Sequence, residues 1–372
     1  MTTNSGDADC IVVGGGLVGL LTARALLQEG LSVFLLEQGE VARESSWAGG
    51  GILSPLVPWK QPDAVNALVA RSQQDYPALV RELQDETGRD VGWLPSGLLI
   101  TGPGPDSAAT AWAAKYHARI EPLDRVQTQA LEPALAQGIG PSLLLPDVAQ
   151  IRNPHLCAAL AESLQQRGVS LHTHTRVTGL QMQGGRVRGV VTERGVFSAE
   201  RVIIAGGAWS APLLETVGVS LPVIPVRGQI VMFAASPELL QHIVLHAGYY
   251  LIPRKDGLVL VGSTLEYTGY DKSTTPNARE LLCGKATALV PALADYPVIK
   301  HWAGLRPGSP HGIPYIGAHQ DLQGLYVNTG HFRNGVVTAP ASARLLVDIL
   351  LARPGFTAVA PYALDRELQG PG

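Results

Sequence analysis

A chain of 372 residues with 46% hydrophobic and 16% charged residues is long enough for about two domains around a sizeable core, and too apolar to be disordered. Its net charge of −3, with no dense Lys/Arg block, excludes a polyanion-binding surface, so no nucleic acid partner is expected. Cys10, Cys157 and Cys283 have no paired spacing, which excludes a disulfide framework and a cysteine metal site.

No apolar run nears the ~20 residues of a membrane span. Residues 1–9 are short and polar and end in Asp9, unlike a secretory signal. The expectation is a cytoplasmic protein with no membrane contact.

The chain then opens with the apolar run Cys10-Ile11-Val12-Val13 and the turn Gly14-Gly15-Gly16-Leu17-Val18-Gly19. A helical stretch closed by Gly30 follows, and a second apolar run over 32–36 ends at Glu37. Strand, glycine turn, helix, strand and acid form the context that makes Gly14-x-Gly16-x-x-Gly19 a dinucleotide fingerprint. Gly14 permits the turn, Gly16 lets backbone approach a pyrophosphate, and Gly19 lets the helix lie close on the sheet. The diphosphate is expected at the helix N-terminus, at Leu17 and Val18, where unpaired N–H groups and the dipole favour anions. Glu37, followed by Gln38, stands where a carboxylate takes ribose hydroxyls and repels a 2′-phosphate. The expected cofactor is therefore an adenine dinucleotide other than NADP.

Residues 43–53 hold Ser45, Ser46 and the glycines Gly49, Gly50 and Gly51, before Ile52 and Leu53. Read from the residues, this is either backbone packed on a flat ligand, with the serines bonding phosphate or a ring edge, or a mobile loop. Asp63 opens a helical pattern through Val65, Leu68, Val69, Tyr76, Leu79, Val80 and Leu83 to Gly88, which Pro77 is expected to kink. Residues 93–101 read as a strand, 108–118 as a helix and 143–150 as extended chain. Asn153-Pro154 reads as a helix start, Asn153 the N-cap and Pro154 the first helical residue. That helix runs to Gly168 and feeds a strand over 169–177. His172 and His174 alternate on the strand without a carboxylate or cysteine at useful spacing, so no metal site is expected.

Gly184-Gly185 joins 180–182 to 187–192 as a hairpin, and Gly195 makes a second turn. The chain then reaches Ala205-Gly206-Gly207-Ala208-Trp209-Ser210 through a buried strand. Its small residues leave the space beyond that strand open. From Leu221 the texture changes to an antiparallel sheet over 224–234, 249–254 and 258–264. A strand over 298–306, a strand over 325–328, a turn at 330–335 and a helix over 336–351 complete the chain. The last three repeat the N-terminal logic, delivering a second helix N-terminus into the ligand crevice.

Taken together, these segments resemble the FAD-dependent amine and amino-acid oxidases of the D-amino-acid oxidase family over essentially the whole chain. The likeness narrows to the glycine oxidase branch of bacterial thiamine biosynthesis on four stretches. They are Tyr250-Leu251-Ile252-Pro253-Arg254-Lys255, Trp302-Ala303-Gly304-Leu305-Arg306-Pro307-Gly308, Pro314-Tyr315-Ile316-Gly317 and Gly330-His331-Phe332-Arg333-Asn334-Gly335-Val336.

The resemblance implies an α/β fold, a Rossmann-like FAD-binding domain with an inserted antiparallel-sheet substrate domain. The FAD-binding parts are 1–88, 146–220 and 304–372, and the substrate parts 89–145 and 221–303. FAD is implied to be non-covalent, since no cysteine stands in the C-terminal region where related sarcosine oxidases attach flavin. Its implied contacts are Gly14, Gly16, Leu17, Val18, Gly19, Glu37, Gln38, Ser45, Ser46, Gly49, Gly51, Ile52, Leu53, Val177, Ala205, Gly206, Trp209, Gly304, His331, Arg333, Asn334, Gly335 and Val336.

The resemblance further implies that Arg306 grips a substrate carboxylate, Tyr250 donates a hydrogen bond to it, and Arg333 lies near substrate and flavin. A planar guanidinium binds a carboxylate bidentately, which lysine does not match. Tyr249 and Tyr250 face opposite sides of a strand, so only one can enter a pocket. On the residues alone, Arg306 reads equally as a structural ion pair and Tyr250 as a core residue. Gly248 and Leu265 depart from the histidine and methionine of the glycine oxidases compared, at positions expected near the site's mouth or wall.

The implied activity is oxidative deamination of glycine, extending to sarcosine and small D-amino acids, by hydride transfer to flavin. O2 becomes H2O2, glyoxylate and ammonia form, and the imine serves thiazole synthesis; the enzyme is expected to be a homo-oligomer. The alternatives are a sarcosine or D-amino-acid oxidase, a flavin dehydrogenase with another acceptor, and a non-catalytic flavoprotein.

Overall fold

The computed structural model describes residues 8–102 and 104–366, so the reading of residues 1–7 falls outside the described residues. Two eight-stranded sheets organise the described residues. The first runs in space Tyr315–Ala318, Leu325–Thr329, Gly195–Ile204, Ala8–Val13, Val33–Leu36, Ser170–His172. The hairpin Val177–Gln183 and Arg186–Thr192 joins it at Gly195–Ile204. The central pairings are parallel. Ala8–Val13 is buried on both faces, as its continuous apolar run requires. Cys10 and Val12 enter the core cluster on one face, and Ile11 and Val13 the cluster on the other.

Four helices cover the first of those faces: Leu17–Gln28, Asp63–Thr87, Asn153–Gln166 and Gly335–Leu350. A Cβ at Gly19 would stand 1.9 Å from the Gly14 carbonyl oxygen, so only glycine lets Leu17–Gln28 close on its strand. Asp63–Thr87 runs past Pro77 without interruption. The buried Tyr76 donates its hydroxyl to the Val336 carbonyl at 2.6 Å, tying that helix to the start of Gly335–Leu350.

The second sheet runs Val298–Gly308, Ile224–Ala234, Leu258–Gly262, Tyr249–Pro253, Ile243–His246, Leu98–Thr101, Ser142–Leu145, Glu121–Leu123. Its longest pairing extends from Ile224 opposite Gly308 to Phe233 opposite Val298. A division between 303 and 304 therefore cuts an uninterrupted strand. The reason is that Gly304 pairs with Gly228 and does not end the ladder.

Other expectations shift. The strand over 93–101 shrinks to Leu98–Thr101, because Gly92 and Gly97 take positive φ of 67° and 68°. The stretch 143–150 is a strand only over Ser142–Leu145. The strand over 169–177 stops at His172, and His174 has φ 49° before the hairpin begins at Val177. Arg152, not Asn153, is the N-cap of Asn153–Gln166, and no side chain caps that end. The helix Pro276–Leu289, absent from the sequence reading, starts from a Thr275 side chain that accepts from the Ala278 N–H. Among the described residues no helix is long and apolar enough to cross a membrane.

Candidate functional site

A cleft of about 390 Å³ opens where the parallel strands of the first sheet end. Gly14, Gly16, Leu17 and Val18 line it from the first turn, Glu37 and Gln38 from the second strand's end, and Val177 from the hairpin. Ala205, Gly206, Trp209, Ser45, Ser46, Gly49, His331, Arg333, Gly335 and Val336 complete the predicted set here. Gly51, Ile52, Gly304 and Asn334 line an adjoining space instead, and two predicted contacts line neither. Gly19 is spent on helix–strand packing, and Leu53 lies in the core with its N–H on the Ala149 carbonyl at 2.9 Å.

The glycines of the turn are forced. Gly14 has φ +113°, and a Cβ there would lie 2.5 Å from the Ala205 carbonyl oxygen. The Glu37 carboxylate accepts from the Gly15 N–H at 2.8 Å and the Gly39 N–H at 2.9 Å, so it pins the turn as well as lining the cleft. Ser46 accepts from the Leu17 N–H at 2.8 Å, placing a hydroxyl at the positive end of Leu17–Gln28. Ser45–Ala48 is a short helix, not a loop. Trp302 donates to the Ala48 carbonyl at 3.0 Å, and a Cβ at Gly304 would meet Ala48 Cβ at 2.4 Å. Gly304 thus lets the second sheet close onto this helix.

A larger chamber of about 1030 Å³ adjoins the cleft. The two share Ser45, Gly49, Arg306, Phe332, Arg333 and Val336 as a common wall. Gly51, Ile52, Tyr250, Gly304 and Asn334 line the chamber alone.

Arg306 is half-buried; Nη2 donates to Ser263 Oγ at 2.7 Å and Nη1 to the Thr264 carbonyl at 3.2 Å. Among the described residues it makes no salt bridge at contact distance, and Glu266 acts on it only through its charge. Burial lowers its pKa and the neighbouring Arg333 adds to this, while Tyr250 favours the charged form. Glycines make room for both side chains. A Cβ at Gly228 would lie 2.1 Å from the Arg306 guanidinium, and one at Gly262 would lie 2.6 Å from the Tyr250 hydroxyl. Tyr250 faces the chamber, whereas Tyr249 turns to the opposite cluster, under Lys285 at 5.5 Å from its ring centre.

His331 is buried, with Nδ1 2.9 Å from Thr338 Oγ1 and Nε2 2.9 Å from Asn328 Oδ1. Burial pushes its pKa down to about 3, so it is a neutral brace for the turn. Arg333, exposed, reaches cleft and chamber and has no carboxylate partner among the described residues. Asn334 donates to Gln61 Oε1 at 3.2 Å and precedes the first turn of Gly335–Leu350. Gly248 lines the chamber; Leu265 is exposed and lines neither space.

Sequence reasoning missed Thr175, Arg176 and Thr178 beside Val177, and Ser263, the brace of Arg306. Thr175 to Thr178 carry the signal of a strand end beside a predicted contact. Ser263 carries none, because its role arises between strands distant in sequence. No group of three or more candidate metal ligands occurs among the described residues.

The family model described as FAD dependent oxidoreductase matches residues 9–349. The chain is 47% identical over 354 residues to glycine oxidase of Pseudomonas aeruginosa, covering 95% of this chain and 97% of that protein. It is 32% identical over 355 residues to the Bifunctional protein ThiO/ThiG of Synechocystis, covering 92% of this chain and 52% of that one. The crystal structure of glycine oxidase from Geobacillus kaustophilus superposes with a TM-score of 0.89 at 30% identity, covering 98% of this chain and 100% of that one. The residues present fit FAD. The turn has glycine wherever a Cβ would fill the cradle, a carboxylate marks the far end, and the cleft continues into a second space. The chain belongs to the DAO family of FAD-dependent oxidoreductases.

Proposed function

We propose that this enzyme is a glycine oxidase, deaminating glycine oxidatively and accepting sarcosine and small D-amino acids. The observation that carries the reading is Arg306, a guanidinium facing the chamber at the wall shared with the cofactor cleft, with no salt bridge at contact distance among the described residues.

The predicted cofactor contacts from Gly14 through Val336 would hold FAD non-covalently, Gly19 and Leu53 supporting from behind. FAD, when bound, would supply the two-electron oxidation of the substrate C–N bond, with O2 as the acceptor reduced to H2O2. Arg306 takes the substrate carboxylate bidentately, and the Tyr250 hydroxyl donates to the same group. Together they orient the α carbon toward the common wall, which is catalysis by positioning. Arg333 brings a second cation to that wall. Two cations beside the substrate favour the neutral amine that oxidation requires. His331 does not serve as a base, since both ring nitrogens are occupied. The positive end of Gly335–Leu350 favours negative charge in the cleft.

The imine would hydrolyse to glyoxylate and ammonia, or supply thiazole synthesis, a link supported by the ThiO/ThiG relative. The reading includes a cytoplasmic homo-oligomer, with the first sheet and its helices as the FAD-binding domain and the second sheet as the substrate domain. Substrate breadth is supported by the chamber, whose volume of about 1030 Å³ far exceeds glycine and whose wall has no side chain at Gly248.

The test is an anaerobic flavin-bleaching screen over glycine, sarcosine and D-alanine, followed by a peroxide assay in air. Glycine should bleach the flavin and yield peroxide. Flavin left oxidised by all three would overturn the reading, and bleaching without peroxide would assign another acceptor.

A further inference from the structure

The Gly49–Gly51 segment, part of the wall common to cleft and chamber, is backed by two buried polar side chains. Arg254 donates through Nη2 to the Gly50 carbonyl at 2.7 Å, and through Nη1 to Gln150 Oε1 at 2.6 Å and the Ile151 carbonyl at 3.2 Å. Asn153, 0% exposed in the first turn of its helix, has no partner for either Oδ1 or Nδ2 among the described residues. Buried primary amides are normally paired, and this one has both halves idle.

Its location gives the idle amide a use. A Cβ at Gly49 would stand 2.7 Å from Asn153 Nδ2, and one at Gly51 would stand 2.8 Å from Asn153 Oδ1. The carboxamide therefore spans the segment, and glycine at both positions leaves backbone and amide face to face. The Gly49 carbonyl and the Gly51 N–H likewise have no hydrogen-bond partner among the described residues. One idle donor and one idle acceptor on Asn153 thus lie beside a segment that carries one idle acceptor and one idle donor.

We propose that Asn153 is a positioning residue for bound FAD. Seating of the cofactor against the segment closes Gly49 and Gly51 onto the carboxamide, with Nδ2 donating to the Gly49 carbonyl and Oδ1 accepting from the Gly51 N–H. Arg254 holds Gly50 fixed while its neighbours move. Cofactor binding and ordering of the chamber wall become one event.

The test compares wild type, Asn153→Ala and Asn153→Asp by FAD dissociation constant, by melting temperature with and without FAD, and by amide exchange over residues 49–51. Both variants should weaken FAD binding about tenfold or more, the loss expected for a hydrogen bond at a buried site. Both should also narrow the gap in melting temperature between the FAD-loaded and FAD-free protein, and Asn153→Ala should abolish the FAD-dependent slowing of exchange at Gly51, whose acceptor Asn153→Asp retains. Asn153→Asp preserves shape, so wild-type FAD affinity in that variant would overturn the donor role. An equal fall in both melting temperatures, with affinity and exchange unchanged, would reduce Asn153 to packing and overturn the proposal. Should Asn153→Asp not fold, Asn153→Ala decides alone.

Discussion

The cofactor cleft and the substrate chamber are built by different means. The cleft's first turn is made from backbone: glycines at Gly14, Gly16 and Gly19, small residues at Ala205 and Gly206, and one carboxylate that pins two N–H groups. All but Ala205 and Gly206 lie within thirty residues of chain. The chamber's chemistry comes from side chains set among glycines, with Tyr250 and Arg306 arriving from two strands, Ser263 from just past the end of a third, and Arg333 from a turn of the other sheet. A backbone site tolerates no added atom, whereas a side-chain site tolerates substitution and changes its chemistry. The first kind sets whether the enzyme assembles, and the second what it does.

The sharpest way to break this distinction is Gly19→Ala. With backbone 1.9 Å from the new Cβ, the helix must leave its strand, at a cost of about 3 kcal/mol. Loss of FAD content and a lower melting temperature are expected together; a normal yield of flavin-loaded protein would refute the packing role.

Arg306→Lys should do the opposite. FAD content stays normal while kcat/KM for glycine falls about 100-fold, since one charge-assisted bidentate contact is lost. Removing only the hydroxyl, by Tyr250→Phe, should cost about tenfold in kcat/KM with the flavin spectrum unchanged.

A pH titration probes the brace between the two regions. The His331 pKa falls from its ordinary 6.5 to about 3 on folding, so below pH 6.5 the unfolded chain takes up a proton that the folded one refuses. Its contribution is complete above pH 6.5 and declines as the pH falls toward 3. Urea melts between pH 7 and pH 5, before most carboxylates titrate, should show stability falling with acidity, and His331→Gln should flatten that slope. The smallest effect is expected at Leu265→Met. This exposed residue lines neither space, so kinetics on glycine and D-alanine should match wild type.

The same contrast explains what could be read from the chain. The strand Ile224–Ala234 is legible to the residue, because an apolar, β-branched-rich run buried almost continuously is a local property. So is the first turn, where glycine spacing and context coincide. Ser45–Ala48, at four residues, is too short to show a period. Pro276–Leu289 carries a legible start, a threonine followed by proline, but its buried face of Ala278, Leu282, Ala286 and Leu289 is half alanine and is blurred by the exposed Leu281. The roles of Arg306 and Tyr250 came from resemblance. What holds them in place, Gly228, Gly262 and Ser263, lies across strands and leaves no mark on neighbouring residues.

The double duty of Glu37 also bears on how this lineage can drift. Its carboxylate staples the Gly15 and Gly39 backbone while facing the cleft. A single exchange to arginine, the step that would welcome a 2′-phosphate, would undo the staple before any new affinity arose. Nucleotide preference is thereby locked to chain geometry, and a switch would have to pass through a second, compensating change in the turn.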